Sequence, residues 1–223
     1  MSILDVLSTH IFVKGYYHTP RSYDYLCLIL ENIMDMQKLE KELMALLQKA
    51  SLVKREFDSL LIGLAEETGA DAMLAPVKSY ARAMEKVCAD YKGDTSKLKD
   101  AVRGTLVVTT ASEAQALLAK VATLLPVQVK RNWLAEGAKV PSPMYRDILV
   151  YVTVEGVICE LQINTRAMVQ AKDYGHRLYE GQRAIIANAA LWGDTPDEEE
   201  FKQLQRLVRR QIQIYTDAWE RSQ

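Results

Sequence analysis

Cysteine and histidine are scarce in this 223-residue chain, and their spacing excludes several chemistries. Cys27, Cys88 and Cys159 lie far apart and form no CxxC pair. That argues against a zinc ribbon or a disulfide frame and for isolated thiols in a reducing compartment. No apolar run approaches the roughly 20 residues a membrane span needs. The opening Met1-Ser2-Ile3-Leu4-Asp5 has neither a basic stretch nor an apolar core of the signal-peptide kind, so a cytoplasmic site of action is expected. An excess of charge is missing too: 28 Lys and Arg against 29 Asp and Glu give a net charge of -1. No global basic field draws in nucleic acid or an anionic membrane, so anion binding must come from a local cluster.

What is present is the make-up of an ordinary globular protein, 49% hydrophobic and 26% charged, and long enough to bury a core. Residues 1–19 are mixed, with a turn at His18 to Pro20 and Ser22 placed to cap a helix. Helical spacing of Leu26, Leu30, Ile33, Leu39, Leu43 and Leu47 predicts two helices between Tyr23 and Leu64, broken near Ala50-Ser51. Beyond Gly69 a third helix is expected from Ala75 to Tyr91, with Pro76 in its first turn. The pattern then changes. Residues 102–110 read as a strand, 111–125 as a helix and 126–133 as a second strand. A Gly/Pro loop over 134–144 leads to strands at 146–154 and 157–165. A helix over 166–191, a break at Gly193-Asp194-Thr195-Pro196 and a helix over 197–222 complete the order. The implied fold is α+β, a mixed sheet of four to five strands flanked by helices. It divides into an N-terminal helical extension (1–70), a core (71–191) and a C-terminal helix (192–223).

The last two strands carry the sharpest inference. A two-residue turn at Glu155-Gly156 pairs Val154 with Val157 and fixes the register outward. Tyr151 then faces Glu160, Leu149 faces Gln162, and Asp147 faces Asn164. Side chains alternate between faces, so Ile148, Val150, Val152, Cys159, Leu161 and Ile163 form an apolar face. Tyr145, Asp147, Tyr151, Glu160, Gln162 and Asn164 share the other with Leu149. Polar residues on a hairpin are commonly a solvated face. A mid-strand Glu160 beside Asp100, at the start of the 102–110 strand, is however also a suitable seat for Mg²⁺, which takes one or two carboxylates plus substrate phosphates.

Two further groups stand out. Lys78, Arg82 and Lys86 recur at fourfold spacing, which on a helix costs about 0.2–0.5 kcal/mol per like-charged pair and is offset by an anion. Such a stripe alone is most often a solvated face. Arg103 adds a cation near Asp100. Lys172, His176, Tyr179 and Arg183 share one face of the helix after the hairpin. His176, Tyr179 and Arg183 are expected to support the site rather than to touch substrate.

Taken together these segments resemble the RelA/SpoT synthetase family over about residues 75–185. Val77 to Lys86 resembles its ATP-binding helix. Lys99-Asp100-Ala101-Val102-Arg103-Gly104 resembles the segment with its magnesium aspartate, in the variant with Arg three residues after Asp found in small synthetases and toxins. Tyr145-Arg146-Asp147 resembles the segment whose Tyr stacks on the acceptor base. Glu160-Leu161-Gln162-Ile163-Asn164-Thr165 matches the family's E-x-Q-x-x-T signature, and His176 to Glu180 resembles the helix after that strand. The departures lie on the acceptor side: Met144 stands where a Gly usually precedes the Tyr, Leu149 where a His is common, and Asn164 where the signature has Arg. None of His10, His18 and His176 precedes an Asp, so the hydrolase domain of long family members is not expected.

The resemblance implies a pyrophosphokinase moving the β,γ-pyrophosphate of ATP to a ribose hydroxyl of a guanine nucleotide and releasing AMP. Lys78, Arg82 and Lys86 would bind ATP; Asp100 and Glu160 would hold Mg²⁺ and, with Arg103, serve the reaction; Tyr145, Gln162 and Asn164 would meet the acceptor. One alternative is a toxin acting on a tRNA 3′ end or an adenine nucleotide, with an antitoxin or chaperone as partner. Another is a degenerate nucleotide-binding or partner-binding module. A homo-oligomer is compatible with either, and no membrane partner is expected.

Overall fold

The computed structural model describes the backbone of residues 22–191 and 195–223, and the side chains of 35–190 and 195–223. The expectations for residues 1–19, for the 18–20 turn and for Gly193-Asp194 lie outside the described residues. The chain divides into two compact units, Met1–Lys41 and Glu42–Gln223. The described part of the first unit is the opening stretch of one long helix. The second holds the sheet and the site.

Helix α1 runs from Ser22 to Thr68 as one 47-residue helix. The expected break near Ala50-Ser51 is absent. Ser51 returns its hydroxyl to the Leu47 carbonyl at 2.9 Å, a bond that satisfies the hydroxyl without interrupting the backbone ladder. Leu43, Ala50, Phe57 and Leu61 lie fully buried along one stripe.

The segment after Gly69 also departs from expectation. Asp71–Leu74 is a strand, β1, and residues 75–79 are extended, so helix α2 begins only at Tyr80 and ends at Tyr91. Pro76 disfavours helical geometry for the residue before it. Ser79 then caps the helix, its Oγ accepting from the Arg82 amide. Lys78 therefore stands outside the helix, tied by its amide to the Ala101 carbonyl at 2.9 Å.

The other elements follow the expected order: β2 (Val102–Val108), α3 (Ala111–Leu124), β3 (Val127–Asn132), β4 (Ile148–Val154), β5 (Val157–Thr165), α4 (Arg166–Leu191) and α5 (Glu198–Glu220). They form a five-stranded sheet in the order β1-β2-β5-β4-β3. Only β2 and β5 run parallel. The hairpin has the expected register, with Val154 opposite Val157, Tyr151 opposite Glu160 and Leu149 opposite Gln162. Glu155 and Gly156 both take positive φ, 46° and 75°, as a type I′ turn requires.

The apolar face of the hairpin is core: Ile148, Val150, Cys159, Leu161 and Ile163 are fully buried. Helix α1 packs close to the same face of β2. A Cβ at Gly104 would come within 2.3 Å of Leu61 Cδ1. No helix among the described residues is long and apolar enough to cross a membrane.

Candidate active site

The site lies on the other face of the sheet, where β2 and β5 run side by side. Their parallel register sets Arg103 beside Glu160 and Thr105 beside Gln162. Asp100 sits just before β2, and the extended segment carrying Lys78 is hydrogen-bonded to Ala101 next to it. Helix α2 is held by buried Ala83 and Val87 and brings Lys86 to the same point. Lys86 Nζ lies 2.8 Å and Lys78 Nζ 3.0 Å from Asp100 Oδ2. Although Lys78 is not helical, it converges with Lys86 on one carboxylate.

Asp100 is almost fully buried, and its second oxygen, Oδ1, has no hydrogen-bond partner. A buried carboxylate oxygen without a partner is costly unless something else meets it. Burial alone pushes the Asp100 carboxyl up; the hydrogen bonds and charges of Lys86 and Lys78 outweigh that and hold it below the ordinary aspartate value. Glu160 behaves oppositely. Burial first, then the charge of Asp100, raises its pKa against the pull of Lys86, Arg103 and Arg131. The two acids are thus close enough to repel and differ in basicity, with Asp100 held ionised and Glu160 the readier proton acceptor.

Among the described residues no group of three or more His, Cys, Asp or Glu could hold a metal. Two carboxylates fit a magnesium ion whose remaining ligands are phosphate and water. The unpartnered Oδ1 of Asp100 is the atom that such an ion would meet.

Beside this pair opens a cleft of about 550 Å³ whose charged lining is Lys78, Arg82, Lys86, Arg103 and Arg183 together with Glu85 and Asp90. Arg82 is exposed and pairs with Glu85 at 3.0 Å. Arg183, expected only to support the site, lines this cleft directly, its guanidinium 6.0 Å from the ring centre of Tyr179. His176 instead faces outward, 3.3 Å from Glu180 on the exposed side of α4. Five cations around one concave surface suit a polyphosphate.

The acceptor-side candidates form a second group further along β5. Asn164 donates to the Tyr145 hydroxyl at 2.7 Å. Gln162 Nε2 reaches Glu160 at 3.5 Å, and Lys172 Nζ reaches Gln162 Oε1 at 3.5 Å. The Lys172 ammonium also lies 5.5 Å from the Tyr145 ring centre. Burial, then the charge of Asp147, pushes the Tyr145 phenol well above its ordinary value, so it stays neutral. Met144, in the position where a Gly is usual, takes the φ of 75° that a Gly would adopt without strain.

Sequence reasoning misses the Arg131–Asp147 pair on this face. Asp147 is fully buried and accepts from Arg131 Nε at 2.6 Å and Nη2 at 2.7 Å. The hairpin pattern places Asp147 on the polar face; the register shift between Val129 and Arg131 in β3 conceals its partner.

No protein-family model matches the chain. Over 131 residues it is 34% identical to the (p)ppApp synthetase toxin Tas1 of Pseudomonas aeruginosa (strain UCBPP-PA14), a match covering 56% of this chain and 27% of that protein. The chain thus spans about a quarter of the length of the curated relative it matches. A crystal structure of the complex between the Type VI effector Tas1 and its immunity protein superposes with a TM-score of 0.58 and 25% identity, covering 81% of this chain and 97% of that one. The small alarmone synthetase 1 from Bacillus subtilis shares the fold, with a TM-score of 0.50, 17% identity and coverage of 81% and 95%. The chain thus shares its fold with these synthetases and is similar in sequence to one of them over 131 residues.

Proposed function

We propose that the chain is a pyrophosphokinase that transfers the β,γ-pyrophosphate of ATP to a ribose hydroxyl of an adenine nucleotide and releases AMP. The observation that carries this reading is the convergence of Lys78 and Lys86 on Asp100, beside Glu160 and Arg103 and at the wall of a cationic cleft. That arrangement suits phosphoryl-group chemistry, which needs positioning and charge neutralisation more than covalent help.

In this reading Lys78, Arg82, Lys86, Arg103 and Arg183 hold the triphosphate. Bound by Asp100 and Glu160 together with the phosphates, Mg²⁺ would supply further charge neutralisation. The acceptor's ribose oxygen forms a bond to the β-phosphorus as the bond from that phosphorus to the α,β-bridging oxygen breaks. AMP leaves with the bridging oxygen, and the hydroxyl proton passes to Glu160. Glu160 is the better placed base of the two carboxylates, because Lys78 and Lys86 both engage Asp100. Tyr145, with Asn164 and Gln162 beside it, would meet the acceptor base.

Support for adenine over the guanine acceptor expected from the family comes from two sides. The relative is named for (p)ppApp synthesis. The departures at Met144, Leu149 and Asn164 all fall in the acceptor half, while Asp100, Arg103 and Glu160 on the donor half match the family pattern. The same relative, a toxin crystallised with its immunity protein, supports a growth-arresting role for this chain and a dedicated neutralising protein as partner.

The test is incubation of purified protein with Mg²⁺, γ-labelled ATP and one acceptor at a time: ADP, ATP, GDP, GTP or tRNA. AMP release with label on adenine nucleotides is the expected result. Label only on guanine nucleotides or tRNA would overturn the acceptor assignment. No AMP from any acceptor would favour a binding module.

A further inference from the structure

The C-terminal helix packs against the acceptor half in a way that the chemistry above does not use. Tyr145 and Tyr215 of α5 meet edge to face, with ring centres 5.4 Å apart and planes at 68°. Tyr215 is 4% exposed and sits where Gly175 of α4 leaves room. A Cβ at Gly175 would lie 2.0 Å from the Tyr215 hydroxyl and 2.4 Å from its Cζ. Gln211, one turn earlier, is buried and donates to the Gly175 carbonyl at 2.8 Å, so the two helices are keyed at this level.

The residues flanking Tyr145 are held by the same helix. Met144, with its strained φ of 75°, packs into the cluster of Met168, Ala171, Tyr215 and Ala218. A side chain persists in that backbone region only where its surroundings over-determine it. Arg146 donates to the Trp133 carbonyl at 2.8 Å and lies 4.0 Å over the ring of Trp219. Tyr215 and Trp219 are four apart and share a helix face. The end of α5 is also tied to the sheet. The Ser222 carbonyl accepts from the Ala111 amide at 2.7 Å, and its hydroxyl meets Thr165 Oγ1 at 2.7 Å. Thr165 is next in the chain to Asn164, which fixes the Tyr145 hydroxyl.

From these contacts we infer that α5 is a working part of the acceptor site and that Tyr215 is the positioning residue that sets the ring of Tyr145. The inference rests on the reading of Tyr145 as the ring that meets the acceptor base. Asn164 fixes the ring at its hydroxyl and Tyr215 packs against it in a T-shaped pair, while the Lys172 ammonium lies over it. Loss of the Tyr215 ring lets the Tyr145 ring turn, so the acceptor encounters a site that must be ordered on binding, whereas the ATP cleft is unaffected.

Steady-state kinetics on the whole chain test this. Tyr215→Leu is expected to raise the KM for the nucleotide acceptor about three- to tenfold, the range of an edge-to-face pair, with the KM for ATP and kcat within about twofold. Tyr215→Phe, which keeps the ring, is expected to restore the wild-type value. Added to Tyr145→Ala, Tyr215→Leu should raise the acceptor KM no further, because the ring it positions is gone. Equal rises in both KM values, unchanged KM values or full additivity would overturn the inference. If Tyr215→Leu does not fold, Trp219→Leu, which releases Arg146 beside Tyr145, must give the same selective rise or the inference fails. If Tyr145→Ala itself leaves the acceptor KM unchanged, the base-contact reading fails and this inference with it. If Tyr145→Ala raises it and Tyr215→Leu does not, only the role of Tyr215 falls.

Discussion

Lys86 Nζ lies 2.8 Å from Asp100 Oδ2, and that single oxygen also receives Lys78 at 3.0 Å while Oδ1 of the same carboxylate receives nothing. One oxygen thus anchors the two lysines and the other remains for a ligand. Asp100→Asn is expected to abolish detectable pyrophosphate transfer and to lower unfolding free energy by about 1–3 kcal/mol. The cost stays below the roughly 3–5 kcal/mol of a fully buried broken pair because Lys86 keeps access to water. Urea unfolding with matched activity assays checks both parts.

Glu160 gives the opposite stability effect. Burial and the Asp100 charge raise its pKa, so the ionised carboxylate costs the folded state stability above its unfolded pKa of about 4.3. Glu160→Gln removes that cost. It is expected to lower turnover by at least about 10²-fold, the lower end of what one proton-transfer group contributes, while leaving stability at pH 7 equal to or slightly above wild type. A variant that lost activity together with several kcal/mol of stability would mark Glu160 as structural.

The acid limb of the stability curve should carry the signature of Asp100. Its folded pKa lies below its unfolded value of about 3.9, so its contribution is fully present above that value and disappears as pH falls through the folded pKa. The gap in urea midpoint between wild type and Asp100→Asn is expected to be constant from pH 7 to about 5 and to shrink below about 4. A gap that stayed constant to pH 2 would remove the Lys78–Asp100–Lys86 cluster as its source.

Gly104, on the core face of β2, tests the packing of α1 on the sheet. A Cβ there would meet Leu61 Cδ1 at 2.3 Å and Phe57 Cε1 at 3.2 Å, both from fully buried side chains. Gly104→Ala is expected to destabilise by about 1–3 kcal/mol through overpacking. The fall in melting temperature reads it directly. An unchanged melting temperature would mean that Leu61 turns aside freely.

The hairpin is legible in the sequence because its information is local. A two-residue turn and a period of two place Glu160 opposite Tyr151 with no knowledge of the rest of the chain. The neighbourhood of Asp100 and Glu160 needs more, since a parallel pairing between β2 and β5 joins segments about 60 residues apart. The family resemblance supplies that step. Strand β1 and the late start of α2 are hidden because 71–74 is a four-residue edge strand with three exposed positions, too short to show alternation. Lys78 therefore reads as part of a helix it does not join. The contacts of Tyr215 and Trp219 are invisible for a different reason. Helical periodicity shows which face of α5 is apolar, and only tertiary packing shows that this face meets residues 144–146.

The Arg131–Asp147 pair yields an asymmetry that separates electrostatics from packing. Asp147 has no exposed side-chain surface, whereas the Arg131 side chain keeps 28% of its own. Arg131→Ala strands a buried carboxylate, and a loss of about 3–5 kcal/mol is expected. Asp147→Ala strands a guanidinium that can turn toward water and still lie 4.7 Å over Trp133, so about 1–3 kcal/mol is expected. The double change Arg131→Met with Asp147→Leu removes both charges and fills the space, and it should unfold at higher urea than Arg131→Ala alone. If the two single variants lost equal stability and the double variant lost their sum, the pair would be acting through shape alone, and its charges would not be what orders this end of the sheet.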